Sequence, residues 1–200
     1  MAALALGLCL SYLLVVFVLR GILQRRAFGS SGWLGGTGAT PAERLANLLF
    51  LVGCGLDLLT PVLVLSGRLR PWGPLDAPVA HAAGAALLAA AMVAASAAQR
   101  SMGAEWRTGI DPGAPSHLVT AGPFAVVRNP VYTTMVASSV GVALLVPTVI
   151  ALVAVPVCLA GLEVQARLVE EPFLLERHGR RYRDYARVVG RFLPGIGRLP

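Results

Sequence analysis

Late in the chain, Glu163, Arg167, Glu170 and Glu171 fall at intervals of three and four, the spacing that brings side chains onto one face of a helix. Upstream, Arg128, Asn129, Pro130 and Tyr132 form a second polar knot at the edge of an apolar run. Carboxylates gathered at a dry boundary suit a cationic or zwitterionic ligand, and an arginine can hold an anion through two parallel hydrogen bonds that lysine does not reproduce. A plainer alternative stays open beside this one. The acidic and basic quartet is also what a ladder of ion pairs looks like, and Arg128 would equally serve to satisfy carbonyls around Pro130. Other chemistry is absent from the pattern. Gly53-Cys54-Gly55 lacks the third glycine and the preceding strand of a nucleotide fingerprint. Cys9, Cys54 and Cys158 sit singly in apolar runs without neighbouring histidines, so they read as packing residues and imply no metal site.

The elements that must position these groups lie in lipid. The composition is 56% hydrophobic and 14% charged, which is wrong for a surface facing water. Apolar runs cover residues 2–19, 45–65, 79–98 and 131–162. A crossing takes about 20 residues, so the last run holds two and the chain reads as an all-α polytopic membrane protein of five spans. The final two form a hairpin turned near Pro147; 131–146 is short for a full crossing, which leaves a re-entrant geometry open. The first run reads as a span rather than a cleaved signal, because it has no basic leading segment and no small-residue cleavage site. The chain thus divides into a three-span scaffold over 1–98 and a chemically active part over 99–200, made of a polar loop, the hairpin and a tail helix.

Within the scaffold, Ala80, Gly84, Leu88 and Met92 mark one stripe of the third span, set among alanines that let helices approach closely. Asp57 falls in the middle of the second span, where an ionised carboxylate is costly. It is either functional, or a cap for backbone freed by Pro61, or an arginine's partner. The connection 99–130 carries Trp106, Arg107, Asp111 and His117 among glycines and prolines. Trp106 reads as an interfacial anchor or as the mouth of a site. Pro172 predicts a bend or break at Glu171. Beyond it, 173–189 reads as a helical segment interrupted near Gly179, with Tyr182, Tyr185 and Val189 along one face.

The net charge of +7 comes from arginine alone, and eight of the 17 arginines lie in 167–198. The positive-inside rule therefore places the C-terminal end in the cytoplasm; Arg68 and Arg70 fall on the far side, against the rule. A phospholipid surface is the nearer polyanion for this charge, and nucleic acid is not an expected partner. Abundant alanine, glycine and arginine without lysine point to a GC-rich bacterial genome and a cell-membrane location.

Two segments resemble the isoprenylcysteine carboxyl methyltransferase and phospholipid methyltransferase family. The first is Leu118-Val119-Thr120-Ala121-Gly122-Pro123-Phe124 with Val127-Arg128-Asn129-Pro130-Val131-Tyr132; the second is Glu170-Glu171 with Leu174, Gly179, Tyr182, Tyr185, Val189, Arg191 and Pro194. Their order, with a membrane hairpin between them, makes the combination specific, and together they cover 99–194. The resemblance implies an S-adenosylmethionine pocket where the two segments meet, closed by the tail helix and open sideways to a lipophilic or lipid-modified acceptor. Leu118, Val119 and Phe124 match residues lining that pocket. Asn129, Pro130 and Tyr132 match the stretch that holds the cofactor's polar part, and Glu170 its acidic contact. Arg167 falls near the family's substrate-binding arginine.

Three positions depart from the family pattern: Phe124 stands for tyrosine, Asn129 for histidine and Thr133 for glycine. Asparagine still offers a donor and an acceptor, but no group that carries a proton near neutral pH, so position 129 is not a general base. Methyl transfer needs chiefly positioning and exclusion of water, and a carboxylate acceptor needs no base. Arg167, Arg128 and Glu171 are accordingly the expected catalytic groups, with carboxyl O-methylation the favoured reaction. Two other readings stand against it. One is an NADPH-dependent sterol-type reductase, which shares a similar Arg-x-Pro-x-Tyr hairpin and tyrosine-rich tail; the other is a non-catalytic scaffold that keeps the fold.

Overall fold

A computed structural model describes residues 1–33, 40–109, 113 and 117–200, so Asp111 lies outside the described residues. The described chain is helical throughout, with no strand among its elements. Four helices are long and apolar enough to cross a bilayer: α1 (Ala2–Phe28), α2 (Pro41–Leu65), α3 (Pro78–Glu105, its last turn tightened) and α5 (Val149–His178). Between the last two lies α4 (Pro130–Leu145), apolar but only 16 residues long. At 1.5 Å per residue that is about 24 Å, less than the ~30 Å hydrocarbon core. A short helix, α6 (Arg180–Val188), follows. The protein is a multi-pass membrane protein.

The ends of these helices are set by local chemistry. Thr40 caps α2 by accepting from the Glu43 N–H at 3.1 Å, with Pro41 in the first turn. Thr148 does the same for α5 through Ala151 N–H, just past the turn at Pro147, so the hairpin turns where its proline predicts. Gly179 takes φ 54° and ψ −125°, a conformation that side chains strongly disfavour, and it separates α5 from α6 as the sequence anticipates.

Small residues let the long helices touch. A Cβ on Gly84 of α3 would sit 2.7 Å from the Gly141 carbonyl of α4, and one on Gly161 of α5 would meet the Phe50 N–H of α2 at 2.8 Å. One apolar cluster runs through Tyr12, Val16, Ala91, Ala95, Met135, Cys158 and Leu162, and Phe192 from the tail joins it. Asp57 is buried, and among the described residues its partner is neither arginine nor freed backbone. Its carboxylate accepts from the Ser139 hydroxyl of α4 at 3.0 Å, which ties α2 to α4.

Two helices carry a wide turn, each with a visible purpose. In α1, residues Leu14–Leu19 take the π form; the Arg20 N–H reaches Val15 and Phe17 and passes over Val16, whose carbonyl accepts instead from Gln99 Nε2 at 2.8 Å. Arg20 continues the tie by donating to the carbonyls of Gln99 and Gly103 at the end of α3, with its guanidinium 5.2 Å from the centre of the Trp106 ring. Trp106 is thus 3% exposed under Arg20, and serves neither as an interfacial anchor nor as a lining group of the cleft described below.

In α5 the wide stretch is Gln165–Glu170, immediately before Pro172. Glu171 remains helical, at φ −61° and ψ −43°, and its N–H bonds to Ala166, five residues back. Of the bend or break expected at Pro172, the break does not occur. The extra residue in the turn makes room for the proline ring, and a buried side-chain clamp holds Glu171 in place.

Candidate active site

That clamp lies where the tail folds back onto the start of α4. Glu171 is 5% exposed and accepts from three nitrogens: Arg128 Nη2 at 2.7 Å, Arg191 Nε at 2.7 Å and Arg191 Nη2 at 3.0 Å. Arg128 also donates to the carbonyls of Ala186 and Val189 at 2.8 Å and of Gly197 at 2.9 Å. Arg191 reaches Glu163 at 3.4 Å, and its bonds to Glu171 hold its charge more firmly than usual. Main-chain bonds lock the same parts together. Arg128 N–H donates to Gly190 and Asn129 N–H to Arg191, and the Thr133 hydroxyl donates to the Phe192 carbonyl at 2.8 Å. The tail is therefore folded back onto the start of α4.

Above the clamp opens a cleft between the segment before α4, the end of α3, the wide turn of α5 and the tail helix. Its apolar wall is Met102, Leu118, Val119, Phe124, Phe173 and Leu174; its polar groups are Glu105, Arg107, His117, Asn129, Glu170, Tyr182 and Tyr185, with Arg128 at its base. Of the residues expected to hold a cofactor, Leu118, Val119, Phe124, Asn129 and Glu170 meet here, although they come from distant parts of the chain. Tyr132 lies behind the wall. Its hydroxyl donates to Glu170 Oε1, which also takes a bond from Gln165 Nε2 at 3.4 Å, so Tyr132 orients the carboxylate. Pro130 is buried in the first turn of α4, where its fixed φ starts the helix.

The three residues expected to be catalytic are placed differently from one another. Arg128 and Glu171 are locked in the clamp, which makes them positioning groups. The Arg128 carbonyl partners lie on the tail and not around Pro130. Arg167 lies outside the cleft, its side chain 58% exposed and paired with Glu163 on the helix surface. The wide turn explains the separation: with an extra residue between them, Arg167 and Glu170 no longer share a face.

Three polar groups at the cleft are without internal partners among the described residues. Glu170 Oε2 accepts no hydrogen bond, the Asn129 side-chain amide makes none, and the buried Arg128 Nε has no acceptor. The buried one, Arg128 Nε, is costly unless something polar meets it. Both tyrosines of α6 line the cleft. Tyr185 donates to the Phe124 carbonyl at 2.5 Å, and burial pushes its hydroxyl up to about 12; burial also raises Tyr182, which is 2% exposed. Thr133, one of the departures noted above, uses its hydroxyl to fasten the tail. What the sequence left out is Arg191 as clamp, Met102 and Phe173 as wall and Glu105 among the polar groups.

A family model described as phospholipid methyltransferase matches residues 79–181, just over half of the chain. The match takes in α3, α4 and α5 and the whole segment between α3 and α4, and ends just before Tyr182. No curated protein matches the chain.

Proposed function

The chain belongs to the phospholipid methyltransferase family, one of the integral membrane methyltransferase groups, and on that premise we propose that it transfers a methyl group from S-adenosylmethionine to a lipophilic acceptor. The observation that carries this reading is the convergence of Leu118, Val119, Phe124, Asn129 and Glu170 on one cleft. The donor set suits the cofactor: Glu170 Oε2 can receive an ammonium or hydroxyl hydrogen, Asn129 offers both a donor and an acceptor, and the apolar wall can take a flat base. Arg128 Nε at the base is a donor in want of an anion. When bound, the cofactor supplies a sulfonium methyl open to in-line attack. The protein's part is to hold that methyl and the acceptor in line and to keep water out, with Tyr182 and Tyr185 covering the cleft from α6.

For the acceptor, we favour a carboxylate on a lipophilic small molecule or lipid-modified group. Such a nucleophile needs no base, and Arg107, which lines the cleft, is a cation that could orient it. Arg167 is not part of this proposal. The cleft and the C-terminus would face the cytoplasm, by the arginine distribution.

The test is methyl transfer by the purified protein in lipid nanodiscs, using methyl-labelled S-adenosylmethionine and two acceptor panels, long-chain carboxylic acids and aminophospholipids. Label recovered as base-labile ester supports the full reading. Label on amines alone keeps the methyltransferase and overturns the acceptor. No transfer, with NADPH consumed on unsaturated lipids, replaces both by the reductase.

A further inference from the structure

We infer that α6 and the tail after it form a docking surface for an anionic bilayer, with arginines set for lipid phosphates beside an apolar knuckle set for the acyl boundary. The outer face of α6 presents Arg180, Arg181, Arg183 and Arg187, all exposed, while Tyr182 and Ala186 on its opposite face are buried. Internal partners do not consume this charge. Arg180 has only the exposed Asp184 at 3.5 Å, Arg187 only the Pro200 carbonyl at 3.1 Å, and Arg181 and Arg183 form no ion pair among the described residues. Exposed pairs of this kind contribute little, so the charge stays available.

The level of this surface relative to the bilayer follows from the tail. Phe192 is 9% exposed within the transmembrane cluster that includes Tyr12, Ala91, Met135 and Leu162, and its ring meets Tyr132 edge-on at 6.3 Å. The residues next to it are therefore at the membrane boundary. Leu193 and Ile196, 53% and 63% exposed, stand there in the turn around Gly195, and Val188 at the end of α6 is exposed as well. Large apolar side chains beside exposed arginines are the composition of an interfacial segment. A protein partner would have to bring acidic groups of its own to this level, whereas the packing of Phe192 into the transmembrane cluster sets the arginines and the apolar knuckle beside the bilayer itself, so the membrane is the occupant we infer. Because Tyr182 and Tyr185 lie on the other face of the same helix, the docked surface also holds the cover of the cleft.

The experiment is fluorescence of an Ile196→Trp variant in nanodiscs, read as the difference from the unsubstituted protein, with brominated acyl chains as quencher. Membranes of phosphatidylcholine alone are compared with ones containing phosphatidylglycerol. The added tryptophan is expected to be quenched strongly in the anionic membrane and several-fold less in the zwitterionic one. A second variant, Arg180→Gln with Arg181→Gln, Arg183→Gln and Arg187→Gln, is expected to remove the difference. Near an anionic surface each arginine is expected to matter by roughly fivefold in occupancy. Equal quenching in the two membranes, or none in either, would overturn the proposal, whether or not the protein transfers methyl groups. An unquenched signal regained only on adding a soluble protein would point to that other class of partner and would also overturn it.

Discussion

Where α3 crosses α4, Gly84 and Gly141 bring two backbones into contact with no polar side chain between them. At the base of the cleft, by contrast, Arg128, Glu171 and Arg191 are packed against one another with side-chain exposures of 1%, 7% and 7%. The first region is held by close approach in a solvent as apolar as the helices themselves; the second is held by charges that must stay mutually satisfied. The difference separates two kinds of sensitivity. In the membrane part, volume decides, whereas at the cleft the removal of one charge exposes its partners.

The sharpest way to break the comparison is Glu171→Gln. Two buried guanidinium groups would lose their carboxylate, and a cost of about 3–5 kcal/mol is expected, read as a large drop in thermal unfolding temperature in detergent. A drop no bigger than that of an exposed ion pair would show that the clamp is not structural. Next comes Gly84→Val. Overfilling the α3–α4 contact should cost ~1–3 kcal/mol, while Gly7→Ala, which meets nothing within 4 Å, should leave the unfolding temperature near that of the parent. A smaller effect is expected from Tyr185→Phe, which deletes the hydrogen bond to the Phe124 carbonyl. The loss should be about 0.5–1.5 kcal/mol, seen as a severalfold weaker hold on the cofactor rather than as unfolding. Ser139→Ala, which removes the hydrogen bond that Asp57 accepts from α4, should cost only ~0.6 kcal/mol. The smallest expected effect is that of Arg167→Gln. Its exposed pair with Glu163 is worth under ~1 kcal/mol, and activity should be nearly unchanged; a large loss of turnover would return Arg167 to the acceptor site.

The two parts also differ in how much the sequence disclosed. Helix number, the hairpin turn at Pro147 and the break at Gly179 follow from local rules that act within a few residues. The wall residues Leu118, Val119 and Phe124 were legible because they sit in a motif, and Glu170 because a second motif carries it. Arg191 was legible only as part of that motif. Its work depends on the tail folding back through Gly190 onto Arg128, which no spacing reveals. The face shared by Arg167 and Glu170 failed because it assumed an unbroken α spacing, and the wide turn before Pro172 shifts the register. The same turn, with the clamp on Glu171, is why the proline rule did not break the helix. Composition alone places Trp106 at the interface, yet it is buried by Arg20, a residue of the first helix.

The central claim is that the cleft holds S-adenosylmethionine through Glu170. Calorimetric titration of the purified protein with S-adenosylmethionine, run beside Glu170→Gln and Arg167→Gln and repeated with NADPH, tests it most directly. The account predicts saturable binding by the parent and by Arg167→Gln, at least tenfold weaker binding by Glu170→Gln, and no binding of NADPH. Absence of binding by the parent, or tight binding of NADPH in its place, would contradict it.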